Sequence, residues 1–555
     1  TAVAATVTAS GGLMVTRWLA GPMRALPLLV ALLFFLSTLS GGTSAAAPSG
    51  TVPPDGPTPQ PARSLEDQQA PPDPAGDPIG WEAGYWHNES IDVDQSDGLS
   101  DAELEAYVGR AMARVEFIRD REFREPVDVD VELRSEYRNR TQSGESNASF
   151  AAWNNQVWEA LLIDGEDSNV QDELRASSAE SVVGFYSVTE NEIKVITETP
   201  ERPVISNTTL IHELVHALQD QYYDLESDKY RGGTQDRDLA VQGAIEGEAN
   251  YIEAIYTSRC GGAWDCVATP SQPRSGGGTP NFGILLTIIQ PYSDGPVLVS
   301  DRREQGGWAA VDALLEDPPA STEQVIHLTE EPPGTIPFED RARNGWEPFP
   351  DQGENGSDTV GEASIYMMFW VQSRELNIDV IDWRALLQTD SQYDLYNYQS
   401  TPSDGWDEDR VFPYRKQTNS ETEYGYVWLT EWDTEQDARQ FHDAYLTALE
   451  ARGATHVRGN LYEIPDGPFA DAFRIVRVGT SVRIVNAPTV ADVDDIRPGR
   501  DQVGSPDGTV TGTPTVEDDA NPRGPFPSQP GFGPILAVIA LTLVVGIGRY
   551  LSRQR

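Results

Sequence analysis

The sequence predicts an α+β fold, and two observations support this prediction. Strand patterns and helix patterns occur in separate runs, with a strand and a hairpin first, helices through the middle and a second hairpin near the end of the folded part. The chain also contains 13 Trp, 20 Tyr and 16 Phe, enough large side chains to build packed cores. We therefore expect a mixed sheet with an edge strand, a helical middle and a small α/β C-terminal part.

Local signals place the individual elements. Ser100 and Glu103 form a capping-box pattern that begins a helix. Alternation of polar and apolar residues over 127–137 predicts a strand, and two short apolar runs around a polar turn predict a hairpin over 182–197. Gly479 and the threonine after it form the turn of a second hairpin. Helical periodicity is found over residues 209–226, 239–258, 363–376 and 435–451.

The charge balance is strongly acidic and excludes some partners. The chain of 555 residues has 88 acidic and 40 basic residues, a net charge of −48. Such a charge repels nucleic acid and anionic lipid, so we expect no nucleic-acid partner. Excess carboxylate on an aromatic-rich, folded chain is typical of a protein kept soluble in high salt, which screens the self-repulsion.

The N-terminal part of the sequence has the pattern of a signal peptide. Arg17 and Arg24 precede an apolar run over residues 25–39, and small residues at 45–47 are suited to cleavage. We predict a signal peptide over 14–47; a retained N-terminal anchor is the alternative.

Two spacers enclose the predicted ectodomain. Residues 48–79 are rich in Pro, Gly, Ala and Asp with little apolar content, and residues 497–529 have a similar composition. Both segments are predicted to be flexible. The intervening region, about 80–490, is expected to fold and to hold everything catalytic.

The C-terminal residues 530–555 have the pattern of a membrane segment. Residues 531–551 are apolar over a length that can cross a bilayer, and Arg549, Arg553 and Arg555 are predicted to keep the tail on the cytoplasmic side. The Pro-Gly-Phe triplet, apolar span and basic end resemble the PGF-CTERM sorting signal of halophilic archaea. That resemblance implies processing by an archaeosortase and attachment to a membrane lipid at the outer cell surface. A plain single-pass anchor predicts the same orientation.

Cysteines and glycosylation sequons agree with an exterior location. The chain has two cysteines, Cys260 and Cys266, and outside the cell such a pair most simply forms a small-loop disulfide. Two thiols alone make a poor zinc site. Asn-x-Ser/Thr sequons, the acceptors of N-glycosylation, occur at Asn88, Asn139, Asn147, Asn207 and Asn355.

The stretch TLIHELVHALQDQYYDLE, residues 209–226, carries the chemistry of greatest interest. His212 and His216 are one helical turn apart, so both imidazoles project from one face and suit two ligands of a tetrahedral zinc. Glu213 is rotated by about 100° and cannot chelate with them, but it can reach a water at the open metal position and act as general base. This is the His-Glu-x-x-His zincin motif. The alternative is a buried helix with two structural histidines, which would be costly without partners.

A catalytic zinc needs a third protein ligand. No histidine follows closely, which excludes the metzincin extension, whereas Glu246, Glu248 and Glu253 lie on the next predicted helix. Glu248 is rotated by about 200° from Glu246, so both cannot serve. The expected zinc site lies within residues 205–260.

The chain resembles the gluzincin metallopeptidases at this point. Several members carry the third ligand as Glu-Gly-x-Ala, matched by Glu246-Gly247-Glu248-Ala249. The resemblance implies that Glu246 is the ligand. The thermolysin-like pattern has an Asp four residues later that holds the first histidine, where this chain has Asn250, whose amide oxygen can accept the same bond without charge.

Two further parts of a zincin site are expected. In zincins an edge strand above the metal pairs with an extended peptide substrate, and residues 192–196 or 184–186 are the candidates here, an ordinary core strand being the alternative. An oxyanion stabiliser should come from a Tyr or His. Tyr251, Tyr366 and His327 are the candidates, and the sequence does not choose among them.

A looser resemblance covers most of residues 95–490. The segments GFY, HELVHALQDQ, EGEA, GEASIYM and GWDEDR are similar to those of uncharacterised secreted bacterial and archaeal proteins with this zinc motif. Together these patterns predict a secreted, membrane-anchored zinc metallopeptidase that hydrolyses peptide or protein substrates with Glu213 as general base. The alternatives are a surface binding or structural protein with a vestigial zinc site, and hydrolysis of a non-peptide amide.

Overall fold

The computed structural model describes residues 72–142, 147–166, 168–270, 281–419 and 421–499. Within these residues the α-helices are α1 (Asp101–Arg119), α2 (Arg134–Gln142), α3 (Ala148–Ala160), α4 (Val170–Ser181), α5 (Asn207–Tyr223), α6 (Gln235–Arg259), α7 (Phe282–Gly306), α8 (Trp308–Glu316), α9 (Thr322–His327), α10 (Gly361–Glu375), α11 (Glu435–Ala451) and α12 (Val490–Ile496). The strands are β1 (Trp81–Glu82), β2 (Tyr85–Trp86), β3 (Asp128–Leu133), β4 (Gly184–Ser187), β5 (Glu192–Thr197), β6 (Trp346–Pro348), β7 (Trp406–Gln417), β8 (Thr422–Trp432), β9 (Thr455–Arg458), β10 (Leu461–Glu463), β11 (Ala472–Val478) and β12 (Ser481–Ala487).

The fold is α+β, as the sequence predicts. A three-stranded mixed sheet has the order β3-β5-β4, with β3 parallel and β4 antiparallel to β5. The predicted hairpin over 182–197 is therefore present. Its second arm, β5, is the central strand, so β4 is the edge strand and the candidate at 192–196 is wrong.

Helix α5 packs its apolar side on this sheet. Ser206 caps its start by accepting a hydrogen bond from the backbone of Thr209 at 3.0 Å, and Asp224 ends it in the left-handed conformation. Leu210 and Leu214 lie in one buried cluster with Val195 of β5 and with residues of α1. Burial of this face fixes which side of α5 remains for polar chemistry.

Helices α6 and α7 cross at an unusually close distance. A Cβ atom added to Gly247 would lie 2.5 Å from the backbone of Gly295, and one added to Gly295 would lie 2.4 Å from the carbonyl oxygen of Gly243. Only glycine permits such an approach of two backbones. The contact explains why the residue after Glu246 is glycine, and it brings the middle of α7 against α6.

A seven-stranded antiparallel sheet forms the C-terminal part, in the order β6-β7-β8-β12-β11-β10-β9. The predicted hairpin around Gly479 is β11–β12, and the long β7–β8 hairpin lies beside it. One large hydrophobic core joins this sheet with α3, α7, α10 and α11. The C-terminal part is larger than expected, and α12 lies beyond the predicted ectodomain end at 490.

Most other predicted elements are found with shifted ends. The capping box of Ser100 and Glu103 is formed at the start of α1. The predicted strand over 127–137 ends at Leu133, where α2 begins. The signal peptide, the sorting segment and nearly all of both spacers lie outside the described residues.

Judged by length and composition alone, one helix among the described residues, α7, could cross a membrane. Of its most apolar stretch, 89% is buried inside the protein, which is typical of a core helix.

Candidate metal centre

Three side chains meet where α5 packs against α6. The distances are 3.0 Å from His212 Nε2 to His216 Nε2, 3.0 Å from His212 Nε2 to Glu246 Oε2, and 3.2 Å from His216 Nε2 to Glu246 Oε2. The side chains of His212, His216 and Glu246 are all buried, with residue exposures of 1%, 6% and 3%. The structure thus brings together the three residues that the sequence predicts as ligands.

The tautomer of His216 is set by Gln219, one turn further along α5. The amide nitrogen of Gln219 donates to Ile245 O and to Glu248 Oε2, both at 2.9 Å, so its oxygen faces His216 Nδ1 at 2.9 Å. His216 Nδ1 must carry the proton of this bond, and a neutral His216 therefore presents the lone pair of Nε2 to the cluster. Sequence analysis missed Gln219, although its spacing from His216 places both on one helix face.

Glu248 is held outside the ligand cluster. Its carboxylate forms a buried ion pair with Arg119 of α1, and Arg119 also pairs with Asp312 of α8. The structure brings Glu246, and not Glu248, to the two histidines. The Glu248 carboxylate instead contacts Gln219 and Arg119, so a chain of contacts runs from His216 through Gln219 and Glu248 to Arg119. Since no part of that chain can shift without leaving a buried charge unpaired, it fixes Gln219 in place.

The orienting group for His212 differs from the predicted one. Asn250 donates its amide to Tyr292 O at 3.3 Å, and its Oδ1 has no hydrogen-bond partner among the described residues. Glu253 instead brings Oε2 to 3.7 Å from His212 Nδ1. Residues 246 and 253 are seven apart, close to two full turns, so they share a face of α6. A carboxylate beside Nδ1 is the usual partner of a metal-binding histidine. Glu253, and not Asn250, stands beside Nδ1 of His212, at a distance longer than a hydrogen bond.

Glu213 stands apart from the ligands. Its Oε2 accepts a hydrogen bond from the backbone nitrogen of Tyr186 in the edge strand β4 at 2.9 Å, and the residue is 2% exposed. Burial raises the pKa of Glu213, while the imidazoles of His212 and His216 oppose that rise. The base predicted from sequence therefore lies between the ligands and the edge strand.

The electrostatics of the cluster follow from pairing within it. Burial alone would raise the pKa of Glu246, but His216 and His212 lower it to about 2. Burial alone would lower the pKa values of both histidines, but the carboxylate of Glu246 raises them. The three groups thus stabilise opposite charges on one another, as expected when a carboxylate is buried against two imidazoles.

The donor set fits zinc. A tetrahedral zinc with bonds of about 2.0–2.1 Å separates its ligand atoms by about 3.3 Å, close to the three distances observed. When Gln219 holds the proton of His216 on Nδ1, His216 Nε2 and Glu246 Oε2 face each other with lone pairs and no proton between them. A cation at the centre of the triangle would remove this repulsion.

The predicted oxyanion stabilisers lie elsewhere. The Tyr251 hydroxyl accepts a hydrogen bond from Arg303 at 3.1 Å on the other side of α6. The Tyr366 ring packs against Tyr398. His327 Nε2 is 3.0 and 2.9 Å from the two carboxylate oxygens of Glu362. Burial alone would lower the pKa of His327, but the pairing with Glu362 raises it to about 9. Tyr251 and His327 thus have other polar partners, whereas the buried Tyr366 hydroxyl makes no hydrogen bond among the described residues.

Tyr292 of α7 is the tyrosine that the structure brings to the cluster. Its ring is nearly parallel to that of His212, with ring centroids 6.4 Å apart. Burial and the carboxylates of Glu246 and Glu213 raise the pKa of its hydroxyl well above the usual value. Nothing in the sequence around Tyr292 indicates this position, because it depends on the crossing of α6 and α7.

The two cysteines and the sequons have the following places. Cys260 and Cys266 form a disulfide just after α6. Asn207 is not available for a glycan: its Oδ1 accepts from the hydroxyls of Tyr107 and Tyr256 at 2.8 and 3.0 Å, and its amide nitrogen donates to Val267 O. The sequon asparagines with exposed side chains are Asn88, Asn139, Asn147 and Asn355.

Comparison with known proteins covers only the C-terminal part. The model of a family described as "Domain of unknown function (DUF8575)" matches residues 347–497. This range contains nearly all of the seven-stranded sheet with α10, α11 and α12, and it excludes the His212–Glu246 cluster. No curated protein and no solved structure matches the chain.

Proposed function

We propose that this chain is a zinc-dependent metallopeptidase of gluzincin type, with His212, His216 and Glu246 as ligands and Glu213 as general base. The observation that carries the proposal is the triangle of Nε2, Nε2 and Oε2 atoms, 3.0–3.2 Å on each side, with a second carboxylate, that of Glu213, near it. A purely structural site has no use for an unligated carboxylate next to the metal.

The residues divide the work as follows. Zinc held by the triangle would polarise a carbonyl and make a water molecule more acidic. Glu213 takes the proton of the attacking water and later delivers it to the leaving amine, because the backbone nitrogen of Tyr186 holds one carboxylate oxygen and leaves the other for the proton. Strand β4, the edge strand beside Glu213, is the element against which an extended peptide would pair.

One observation favours a second candidate. The three ligands and Glu213 are 1–6% exposed, so a substrate reaches them only if a neighbouring segment moves. A non-catalytic zinc site in a cell-surface binding or structural protein needs no such movement.

The deciding experiment compares wild type with Glu213→Gln. The full chain, purified at high salt, is assayed for bound zinc and for cleavage of a peptide library. We expect one zinc per chain in both proteins and a loss of cleavage of about 10²–10⁴-fold in the variant. Glu105→Gln, at an exposed position on α1, is the matched control and should cleave like wild type.

Two results would remove the proposal. Stoichiometric zinc with equal cleavage in wild type and Glu213→Gln leaves the non-catalytic candidate. Cleavage of small non-peptide amides alone, lost in Glu213→Gln, replaces peptides as the substrate.

The same proposal places the protein at the outer face of the cell membrane. Its support is the sequence pattern of a signal peptide over 14–47 and of a PGF-CTERM segment over 530–555. Intact-mass measurement of the mature chain tests this. Loss of the C-terminal segment with a lipid-sized addition indicates an archaeosortase-type enzyme, and an intact segment indicates a plain anchor.

A further inference from the structure

A second cluster of oxygen ligands lies where α3 meets the seven-stranded sheet. Glu159 at the end of α3, Glu166 in the loop that follows and Asp471 just before β11 each offer one carboxylate oxygen, all within 4.8 Å of one another. Glu159 and Asp471 are 1% and 2% exposed, whereas Glu166 is exposed. The cluster is therefore buried on one side and open to solvent on the other.

The buried pair has no basic partner. Within the described residues, neither Glu159 nor Asp471 forms an ion pair with Lys, Arg or His. Burial and the charges of their acidic neighbours raise the pKa of Glu159 well above its usual range and that of Asp471 to about 7. Two buried carboxylates at this distance need either a shared proton or a cation.

Amide oxygens around the pair are also unpartnered. Gln156 donates its amide to Glu159 Oε2 at 2.5 Å and Asn486 donates to Asp471 Oδ2 at 2.8 Å. Gln156 Oε1, Asn486 Oδ1 and Glu159 Oε1 are buried and make no hydrogen bond within the described residues. A proton shared by the carboxyl groups would leave both amide oxygens unsatisfied, at a cost of about 1–3 kcal/mol each.

Two buried tyrosine hydroxyls lie near the same carboxylates. The charge of Glu159 acts on the hydroxyls of both Tyr426 in β8 and Tyr445 in α11, and that of Asp471 also acts on Tyr426. Both tyrosines are fully buried, and their hydroxyls also interact with each other. The carboxylates are thus surrounded by further buried oxygen atoms.

We propose that this cluster is a calcium site, with the carboxylates of Glu159, Glu166 and Asp471 as its charged ligands. Ca²⁺ takes 6–8 oxygen ligands at about 2.3–2.6 Å, so oxygens that share one ion lie no more than about 5 Å apart. The three carboxylate oxygens, all within 4.8 Å of one another, meet this condition. The amides of Gln156 and Asn486 now turn their nitrogens toward the carboxylates; turned over, each would offer its oxygen to the ion, and water would complete the shell. A donor set of oxygen atoms alone suits Ca²⁺ better than zinc, whose protein sites usually contain imidazole or thiolate ligands.

The position of the site gives the ion a role. Glu159 and Glu166 lie outside the segment that matches the family of unknown function, whereas Asp471 lies inside it. Bound Ca²⁺ would tie α3 to the seven-stranded sheet. Because the zinc ligands lie on α5 and α6, calcium binding and zinc binding should be separable.

Terbium luminescence tests the site directly. The zinc-loaded full chain is treated with a calcium-selective chelator and titrated with Tb³⁺, whose emission is sensitised by nearby Trp and Tyr side chains such as Trp158 and Tyr426. We expect one sensitised site that Ca²⁺ displaces, and a rise in melting temperature on adding Ca²⁺. Glu159→Gln and Asp471→Asn should each weaken binding by about tenfold or more. Asp404→Asn, which removes an acidic group beside His327, should bind like wild type.

The more exposed ligand keeps the test decisive if the buried variants fail to fold. Glu166→Gln changes a side chain at the surface and should still weaken Tb³⁺ binding by about fivefold or more. Sensitised emission that is unchanged in Glu166→Gln, or that Ca²⁺ does not displace, overturns the proposal. The proposal is also overturned if Ca²⁺ does not change the melting temperature of wild type and Asp471→Asn is more stable than wild type. That pair of results would identify a proton shared by Glu159 and Asp471.

Discussion

Two buried polar regions of this molecule show how differently charge can be accommodated. The first is the His212–His216–Glu246 cluster, whose nitrogen and oxygen lone pairs face one another. The second, the acidic junction, comprises Asp236 at the start of α6, Asp358 before α10, and Asp409 in β7. Both are buried, and both contain carboxylates far from solvent.

The difference lies in the donors. Asp409 accepts hydrogen bonds from the backbone nitrogens of Val360 and Gly361 and from the indoles of Trp406 and Trp428, at 2.9–3.2 Å. Asp236 accepts from Thr322, and Asp358 from the backbone nitrogen of Gln235. Protein groups thus satisfy the acidic junction, whereas in the metal cluster a neutral His216 with its proton on Nδ1 faces the Glu246 carboxylate with a lone pair. The acidic junction and the metal cluster therefore differ in the hydrogen-bond donors that face their polar atoms, and not in burial or charge.

The largest expected effect comes from breaking the metal cluster. His216→Ala removes one ligand and leaves His212 and Glu246 buried together, so bound zinc should fall from about one per chain to background. Loss of the bound ion should also lower unfolding stability by about 3–4 kcal/mol at saturating zinc. Zinc content by mass spectrometry and melting temperature with and without zinc measure this.

The control is His442→Ala, which removes a histidine paired only with its neighbour Asp443 on α11. It should retain zinc. Equal zinc in both variants would place the metal elsewhere.

Breaking the acidic junction should cost stability but no metal. Asp409→Asn replaces a carboxylate that receives four N–H groups by an amide with one acceptor oxygen, so we expect a loss of about 3 kcal/mol in unfolding stability with zinc unchanged. Denaturant unfolding of zinc-loaded protein measures it, and exposed Asp443→Asn should change stability by less than about 0.5 kcal/mol. A loss of zinc in Asp409→Asn would show that the two regions are not independent.

A smaller effect is expected from the group that sets the His216 tautomer. Gln219→Ala removes the acceptor for His216 Nδ1, and zinc affinity should fall by about 10–100-fold. Competition with a chelator of known affinity measures this on protein that is fully folded. Gln221→Ala, two residues further along the same helix and bonded only to the 124–125 segment, should leave affinity unchanged. An equal affinity loss in both variants would attribute it to helix stability.

The smallest effect is a pH dependence at the acidic junction. Burial raises the pKa of Asp358 from 3.8 to about 8, so the folded state holds its proton more tightly than the unfolded state. The contribution of protonated Asp358 to the free energy of unfolding is fully present below about pH 4 and is lost as the pH rises towards about 8. Asp358→Asn should therefore gain melting temperature relative to wild type between pH 5 and pH 9. A difference that is independent of pH would mean that Asp358 is charged throughout.

Local patterns predicted those elements whose signals are local. The capping box of Ser100 and Glu103, the turn at Gly479 and the amphipathic run of α11 each lie within a few residues, and each corresponds to an element with nearly the predicted ends. Helix α7 was missed because Pro291, Gly295 and Pro296 indicate a break. Packing against α6 and the surrounding core outweighs that local preference.

The site divides in the same way. The spacing of His212, Glu213 and His216 is a helix property that can be read directly from the sequence. Glu246 was reached only through resemblance to a family motif. The contacts of Gln219 with His216 and Glu248, and the place of Glu253 beside His212, depend on how α5, α6 and α1 pack. Single-sequence periodicity carries no information on that packing.

The contact between Gly247 and Gly295 has a consequence for mutational surveys. A methyl group at either position would push α7, and Tyr292 with it, away from α6. A survey scored by activity alone would rank these glycines with the zinc ligands, although neither has a side chain to offer a metal. Scoring zinc per folded molecule at low temperature would separate the two kinds of intolerance, since the glycines govern the fit of two helices and the ligands govern the ion.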